Sequence, residues 1–219
     1  MKKIALIVAG GKGERMNTDI PKQFLLLNGL PILTHTLNAF ADFDKRILVL
    51  PQSQIENWKM LCKKYNFALK HIIVAGGINR FGSVKNGLRK VEEGSLVAIH
   101  DGVRPLISKN LTNKLIAATK KGIGVVPIVP VKDSLRKMEG GKTKIVSRSN
   151  LYKVQTPQCF FASTIKAAYK QNFSLFFTDD ASVLENNGGK ITTIQGEERN
   201  LKITTEKDLK IAEIFTQSL

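Results

Sequence analysis

An apolar run that ends in a glycine cluster, close to the start of this 219-residue chain, constrains the fold most. Residues 4–9 read Ile-Ala-Leu-Ile-Val-Ala, and residues 10–16 read Gly-Gly-Lys-Gly-Glu-Arg-Met. The apolar run is typical of a buried strand, and the glycines let backbone N–H groups approach an anion closely. With Arg15 and Lys22 as cations behind it, the stretch predicts a phosphate-binding loop.

The loop departs from two common phosphate-binding patterns. The P-loop pattern needs Lys followed by Ser or Thr after its second glycine, but Gly13 is followed by Glu14 and Arg15. The dinucleotide pattern would begin at Gly11 and place its last glycine where Met16 stands. The loop is therefore of neither the kinase type nor the dehydrogenase type. A glycine-rich turn without a ligand stays open on this stretch alone.

Strand and helix signals alternate along the rest of the chain. Further strands are expected at residues 46–50, 72–75, 96–100, 124–127 and 191–194, and helices at residues 33–40, 54–64, 84–91, 111–119 and 162–169. This alternation predicts a three-layer, Rossmann-like α/β fold with a mostly parallel sheet, in one domain over residues 1–219. Ligands bind at the carboxyl ends of such strands, so loops 10–15, 76–80 and 101–104 are expected to converge.

Two further stretches have their own signals. Residues 132–152 are polar, with short alternating segments around Gly140 and Gly141, which predicts an inserted β-hairpin. Either an arm that reaches a second subunit or a solvent-exposed excursion fits this hairpin. Towards the carboxyl terminus we expect a short helix capped by Thr178, an extended piece at residues 200–204 and a last helix opened by a capping box from Thr205 to Asp208.

The composition of the chain limits the kinds of partner that it is expected to bind. The net charge of +16 favours anionic partners, and the scattered lysines form no basic stripe of the kind that binds nucleic acid. No apolar run reaches membrane-spanning length, so we expect no membrane partner. Cys62 and Cys159 lie far apart without metal-ligand spacing, and as reduced thiols they predict a cytoplasmic protein.

Four groups of residues, spread in order over nearly the whole chain, form a joint pattern. They are residues 9–16 with Pro21-Lys22-Gln23-Phe24, residues 76–88, residues 100–105, and the set of residues 148–151, 155–158, 178–181 and 200–204. Each is weak alone, but together they resemble the cytidylyltransferases that act on 2-C-methyl-D-erythritol 4-phosphate in non-mevalonate isoprenoid synthesis. The resemblance implies Mg²⁺-dependent transfer from CTP to a polyol phosphate, in a homodimer held by the β-arm.

The resemblance also implies roles for individual residues. The catalytic cations would be Arg15, Lys22, Arg148 and Lys202. The CTP site would contain Ala9, Gly10, Gly11, Gly13, Gly77, Arg80, Ser83 and Gly102. The polyol phosphate would contact Asp101, Arg104, Ser134, Thr156 and Thr178, and Asp101 is also the candidate Mg²⁺ ligand. Arg148 and Ser134 would act in the site of the partner subunit.

The residues agree with this chemistry on physical grounds. The attacking phosphate oxygen is already ionised near neutral pH, so no general base is needed, and the three histidines form no constellation with Ser or Cys. Three alternatives stay open: a ribitol-5-phosphate cytidylyltransferase, a nucleic-acid-binding α/β protein and a redox enzyme on a Rossmann-like sheet. Ribitol phosphate differs only in the alcohol pocket, and Arg148 to Leu151 favour the methylerythritol substrate.

Overall fold

A computed structural model describes residues 1–10 and 20–217 of the chain. The strands are β1 (Lys3–Val8), β2 (Leu26–Leu27), β3 (Leu30–Pro31), β4 (Lys45–Leu50), β5 (Ile72–Ala75), β6 (Leu96–Asp101), β7 (Ile123–Pro130), β8 (Leu135–Glu139), β9 (Lys142–Val146), β10 (Tyr152–Val154), β11 (Gln158–Phe161) and β12 (Lys190–Gln195). The helices are α1 (Ile32–Asn38), α2 (Ile55–Lys64), α3 (Arg80–Leu88), α4 (Lys109–Ala118), α5 (Ala162–Ala168), α6 (Asp180–Asn186) and α7 (Glu206–Gln217).

One mostly parallel sheet forms the centre of the fold. Its strands follow the order β5-β4-β1-β6-β11-β7, and β7 pairs in addition with β10 and β12. The pairs β1–β4, β1–β6, β4–β5 and β7–β12 are parallel, whereas β11 runs antiparallel to both β6 and β7. The predicted Rossmann-like α/β class is therefore confirmed.

Helices cover both faces of the sheet, because alternate residues of each strand point to opposite sides. From β1, Leu6 packs in a cluster with Val84 of α3 and Ile165 of α5. The neighbouring Ile7 packs on the other side, in a cluster with Leu37 of α1 and Trp58 of α2. Both faces of β1 are therefore buried, as a central parallel strand requires, and three layers result.

The predicted hairpin is present. Strands β8 and β9 pair with each other in antiparallel register, from Leu135 opposite Val146 to Glu139 opposite Lys142, and form a separate two-stranded sheet. Gly140 and Gly141 make the turn with φ values of 54° and 77°, which favour glycine. Most residues of the hairpin are exposed. The contact of this hairpin with a second subunit stays a prediction.

Three local predictions differ from the structure. Asp179, not Thr178, caps α6: its side chain accepts the Ser182 N–H at 2.9 Å and completes a capping box. Residues 200–204 do not form a strand. Strands β10 and β11 were not predicted, because they are short and find their partners across a long sequence separation. By contrast, the capping box from Thr205 to Asp208 is confirmed.

The length and apolar character of a helix decide whether it can cross a lipid bilayer. Within residues 1–10 and 20–217, no helix has the length and apolar character needed to cross it.

Candidate active site

A cleft lies at the carboxyl edge of the parallel strands. Residues that follow β1, β5 and β6 all line it, among them Gly10, Gly77 and Asp101. Its volume is about 220 Å³, and an adjoining depression of about 400 Å³ shares Gly10 and Gly77 and continues towards Pro51. Ligand pockets measure roughly 300–1,000 Å³, so the two together have room for a nucleotide.

Asp101 at the end of β6 is the centre of this cleft. Only 8% of the residue is exposed, and three cations surround its carboxylate. Lys202 Nζ lies 3.0 Å from Oδ2, Arg104 Nε 3.4 Å from Oδ2, and Arg80 Nε 3.8 Å from Oδ1. Burial alone raises the pKa of Asp101, but the charges of Arg80, Lys202 and Arg104 outweigh it and hold the pKa well below its usual range. The carboxylate is therefore ionised at neutral pH.

Arg80 is fixed from behind by a buried acid. Its guanidinium makes a two-bond fork with Asp180, at 2.8 Å and 2.7 Å, and the hydroxyl of Tyr169 donates to the same carboxylate at 2.6 Å. Burial lowers the pKa of Arg80, but Asp180 more than offsets this and the pKa is raised. Arg80 begins α3 and Asp180 begins α6, so the fork joins two helix starts and aims Arg80 at Asp101.

Lys202 stands on an irregular segment held to the body by hydrogen bonds. Arg104 Nη1 donates to the Asn200 carbonyl at 2.8 Å, and Ile203 N–H donates to the Val103 carbonyl at 2.9 Å. Ile203 is fully buried. These contacts bring Lys202 to Asp101 although the two residues are far apart in sequence.

His100, next to Asp101, is a neutral structural residue. Its Nε2–H donates to the Arg104 carbonyl at 3.0 Å, because a carbonyl accepts only. Its Nδ1 then accepts from the Thr156 hydroxyl at 3.1 Å, and that hydroxyl accepts the Asp101 N–H at 3.1 Å. Burial lowers the pKa of His100 to about 4. Thr156 therefore supports the backbone of Asp101 from inside the protein.

Two glycines of the site allow close backbone packing. A side-chain carbon on Gly77 would lie 2.7 Å from the Gly82 carbonyl carbon, and one on Gly102 would lie 2.6 Å from Ala9 Cβ. Gly77 N–H donates to the Ser83 hydroxyl at 3.1 Å, and Gly102 N–H donates to the Val8 carbonyl at 2.9 Å. Ala9, Gly10, Gly77 and Ser83 line the cleft, whereas Gly102 lies behind Ala9.

Lys22 lines the cleft from a single 3-10 turn, Lys22–Phe24. The adjacent Gln23 is buried, and its amide donates to the Ala9 carbonyl at 3.1 Å. This bond ties the turn that carries Lys22 to the end of β1.

Other predicted residues lie outside the cleft lining. Ser134 and Arg148 are exposed at the two ends of the hairpin, and Arg148 donates to the Lys132 carbonyl. Thr178 is exposed just before α6. Arg15, Gly11 and Gly13 fall outside the described residues. The roles predicted for all of these stay predictions.

The described residues of the cleft lining offer one carboxylate as a ligand for Mg²⁺. Among the described residues, no three His, Cys, Asp or Glu side chains come together as a metal site. Asp101 is the carboxylate in the cleft lining, and its Oδ1 lies 3.8 Å from Arg80, beyond hydrogen-bond distance. Mg²⁺ at nucleotide sites takes one or two carboxylates and fills its shell with phosphate oxygens and water. Asp101 fits that role as a single protein ligand.

The sequence did not reveal the residues that support the cleft lining from the interior of the protein. Asp180 and Gln23 each bond to a cleft residue, Tyr169 bonds to Asp180, and Gln155 bonds to the segment that carries Lys202. Gln23, Gln155 and Asp180 stand inside the stretches that carried the resemblance, but their types alone do not tell a supporting role from a surface one.

Comparison with known proteins gives a consistent family. The family model for 2-C-methyl-D-erythritol 4-phosphate cytidylyltransferase matches residues 3–218. The protein of that name from Azobacteroides pseudotrichonymphae genomovar. CFP2 is 48% identical over 218 residues, which is 97% of each chain. The one from Bacteroides thetaiotaomicron is 45% identical over 214 residues, which is 96% of this chain and 98% of the relative.

Solved structures agree with this. The crystal structure of 2-C-methyl-D-erythritol 4-phosphate cytidylyltransferase from Thermus thermophilus superposes with a TM-score of 0.82 at 30% identity, over 99% of this chain and all of that one (100%). Family model, sequence relatives and architecture thus coincide over nearly the full length. The chain belongs to the 2-C-methyl-D-erythritol 4-phosphate cytidylyltransferase family.

Proposed function

We propose that the cleft around Asp101 catalyses the reaction of this family by neutralising charge on two phosphorylated substrates. The protein is a cytidylyltransferase that transfers the cytidylyl group of CTP to 2-C-methyl-D-erythritol 4-phosphate and releases pyrophosphate. The comparisons do not favour ribitol 5-phosphate as the acceptor.

The observation that carries the mechanism is the excess of positive charge in the cleft. The described lining residues include three cations (Lys22, Arg80 and Lys202) and one carboxylate (Asp101). Behind the lining, Arg104 contacts Asp101 and Asp180 pairs with Arg80. Two anions repel each other as they approach, and fixed cations offset that repulsion. Cations that are already in place before the substrates bind also need little reorganisation when charge develops in the transition state.

In the proposed reaction, a phosphate oxygen of methylerythritol phosphate attacks the α-phosphorus of CTP. The new P–O bond forms as the bond to the β-phosphate oxygen breaks, and pyrophosphate leaves with the bond electrons. Lys202 and Arg148 hold the attacking phosphate, while Arg15 and Lys22 hold the α-phosphoryl oxygens and the leaving group. The CTP side of the proposed site contains Ala9, Gly10, Gly11, Gly13, Gly77, Arg80, Ser83 and Gly102. Arg104, Ser134 and Thr178 complete the acceptor side, and Thr156 supports it from inside the protein through the Asp101 N–H.

No residue is asked to remove a proton. A phosphate monoester has its second pKa near 6, so the nucleophile is largely ionised at neutral pH. His100 is buried and both its ring nitrogens are occupied, which fits a structural role. Rate control by charge rather than by acid–base chemistry follows from this arrangement.

A divalent cation completes the charge balance of the proposed mechanism. Asp101 would hold Mg²⁺, and the ion, when bound, would neutralise part of the triphosphate charge. Asp101 also holds Arg80, Arg104 and Lys202 together, so its carboxylate serves the site with or without that ion.

We also propose a homodimer in which the hairpin of one chain reaches the cleft of the other. Met138 and Ile145 lie on one face of the hairpin, and the described residues leave them 65% and 82% exposed. Arg148 and Ser134 at its base would then act in trans. The proposal includes no nucleic-acid or membrane partner, and the free thiols Cys62 and Cys159 support a cytoplasmic location.

The direct test measures pyrophosphate release with CTP and Mg²⁺, with methylerythritol phosphate and ribitol 5-phosphate offered in parallel. Turnover with methylerythritol phosphate is expected. Release with ribitol phosphate alone would replace the acceptor, and release with neither would overturn the assignment.

A further inference from the structure

We propose that Gln155 is a positioning residue that keeps Lys202 against Asp101. Gln155 is 5% exposed and lies between β10 and β11, away from the cleft lining. Its side chain spans from the sheet to the irregular segment after β12, which carries Lys202. The inference rests on the proposed action of Lys202 on the acceptor phosphate.

The amide of Gln155 grips that segment at two points. Its Nε2 donates to the Glu197 carbonyl at 2.8 Å, and its Oε1 accepts the Glu197 N–H at 3.2 Å, so both backbone groups of one residue are satisfied. The same Nε2 lies 3.3 Å from the Asn200 carbonyl, and the same Oε1 lies 3.5 Å from Asn200 Nδ2. The side-chain amide thus makes the hydrogen bonds that the backbone of a neighbouring strand would otherwise make.

The segment has no regular secondary structure, so bonds from Gln155, Ser108 and Arg104 hold its first half to the body. Three of its buried polar atoms, Glu197 Oε2, Arg199 Nε and Asn200 Oδ1, have no hydrogen-bond partner among the described residues. Gly196 is a second observation that points to close packing against Gln155, since a side-chain carbon at Gly196 would lie 2.4 Å from Gln155 Oε1. The chain therefore leaves room for this amide at the start of the segment.

Gln155 is adjacent in sequence to the residue that supports Asp101. The next residue, Thr156, supports the Asp101 N–H, as described above. Gln155 supports the segment of Lys202, and Lys202 Nζ meets Asp101 Oδ2 at 3.0 Å. Two adjacent residues thus hold the two halves of one ion pair from the interior.

A double-mutant cycle tests the proposal with Gln155→Met and Lys202→Ala, and pyrophosphate release gives kcat. Met keeps the volume and loses the amide. Gln155→Met is expected to lower kcat about 10- to 100-fold, the scale of a small misplacement of a catalytic group. In the Lys202→Ala background the same change is expected to cost less than about 2-fold, because Lys202 is no longer there to be misplaced.

Equal losses in the two backgrounds would overturn the proposal, and so would an unchanged kcat for Gln155→Met. If Lys202→Ala itself leaves kcat unchanged, the proposed function of Lys202 fails first and the inference falls with it. Gln171→Met is the matched control, since Gln171 Nε2 donates to the Ala168 and Val183 carbonyls and not to the segment that carries Lys202. It should lower the melting temperature without lowering kcat.

A second variant covers the case in which Gln155→Met does not fold. Gly196→Ala pushes the Gln155 amide aside while leaving residue 155 intact, and it is expected to lower kcat with the same dependence on Lys202. Gly94→Ala is its control, because a side-chain carbon there meets nothing within 4 Å. A Gly196→Ala enzyme with the kcat of Gly94→Ala would contradict the proposal.

Discussion

The charges of the cleft and the charges of the hairpin differ in how they are held. Asp101 and Arg104 are each less than a tenth exposed; Arg104 contacts Asp101 and also donates to the Asn200 carbonyl. On the hairpin, Lys137 and Lys144 pair with Glu139, and the three side chains are 64%, 74% and 45% exposed. Buried ion pairs cost several kcal/mol when broken, whereas exposed pairs contribute little.

This contrast separates two ways of ordering a cation. The cleft builds its geometry from within one subunit, through Asp180 behind Arg80 and the Asn200 carbonyl beside Arg104. Arg148 on the hairpin is exposed and bonds to the Lys132 carbonyl at the hairpin base. A cation held in this way needs a second surface before it acts with precision, and the proposed partner subunit supplies one.

The largest expected effect comes from breaking the fork behind Arg80. Asp180→Asn replaces the fully buried carboxylate with a neutral amide and leaves Arg80, whose side chain is 31% exposed, without its closest anion. The free energy of unfolding should therefore fall by about 3 kcal/mol. Urea unfolding measures it, and turnover should fall as well because Arg80 no longer aims at Asp101. Asp42→Asn, at an exposed position, is the control. Equal stability of the two variants would contradict the importance given to the fork.

A smaller effect is expected from His100 as pH falls. Burial lowers the pKa of His100 from 6.5 to about 4, so the unfolded chain takes up a proton that the folded chain refuses. Its contribution to stability is complete above pH 6.5 and is lost as pH falls from 6.5 towards 4, by roughly 3 kcal/mol at most.

His71 also has a lowered pKa, so the comparison must isolate His100. Urea unfolding of the wild type and of His100→Gln between pH 7 and pH 4.5 does this. The wild type should lose more stability over the interval than the variant. Parallel curves would show that His100 does not carry the effect.

The smallest effect is expected on the hairpin. Glu139→Gln removes the acid that Lys137 and Lys144 share, in full contact with solvent. The unfolding midpoint should not change measurably, because water replaces such pairs at little cost. A clear fall in the midpoint would place the hairpin with the cleft and remove the contrast.

The sequence predicted the parts of the molecule that rest on local signals. Buried apolar runs ended by Gly or Pro, such as 46–50 before Pro51, became strands of the sheet. The antiparallel β11 escaped prediction because its place between β6 and β7 is fixed by partners more than 30 residues away. Asp180 and Gln155 escaped for the same reason, since burial and partner geometry, not residue type, give them their roles.

The cleft itself was foreseen as a convergence of loops, and the structure brings Gly10, Gly77, Arg80 and Asp101 together. The sequence did not predict that three cations would surround the carboxylate of Asp101. Arg80, Arg104 and Lys202 come from separate parts of the chain, and only the folded backbone shows that they meet at one carboxylate.

The most direct test of the account is a heterodimer of Lys202→Ala and Arg148→Ala chains. Two affinity tags on co-expressed chains allow its purification, and both mutant homodimers serve as controls. If the hairpin cation acts in trans, one of the two sites combines an intact cleft with an intact hairpin, and the heterodimer should show about half of the wild-type pyrophosphate release. Activity no higher than that of the mutant homodimers would contradict the account.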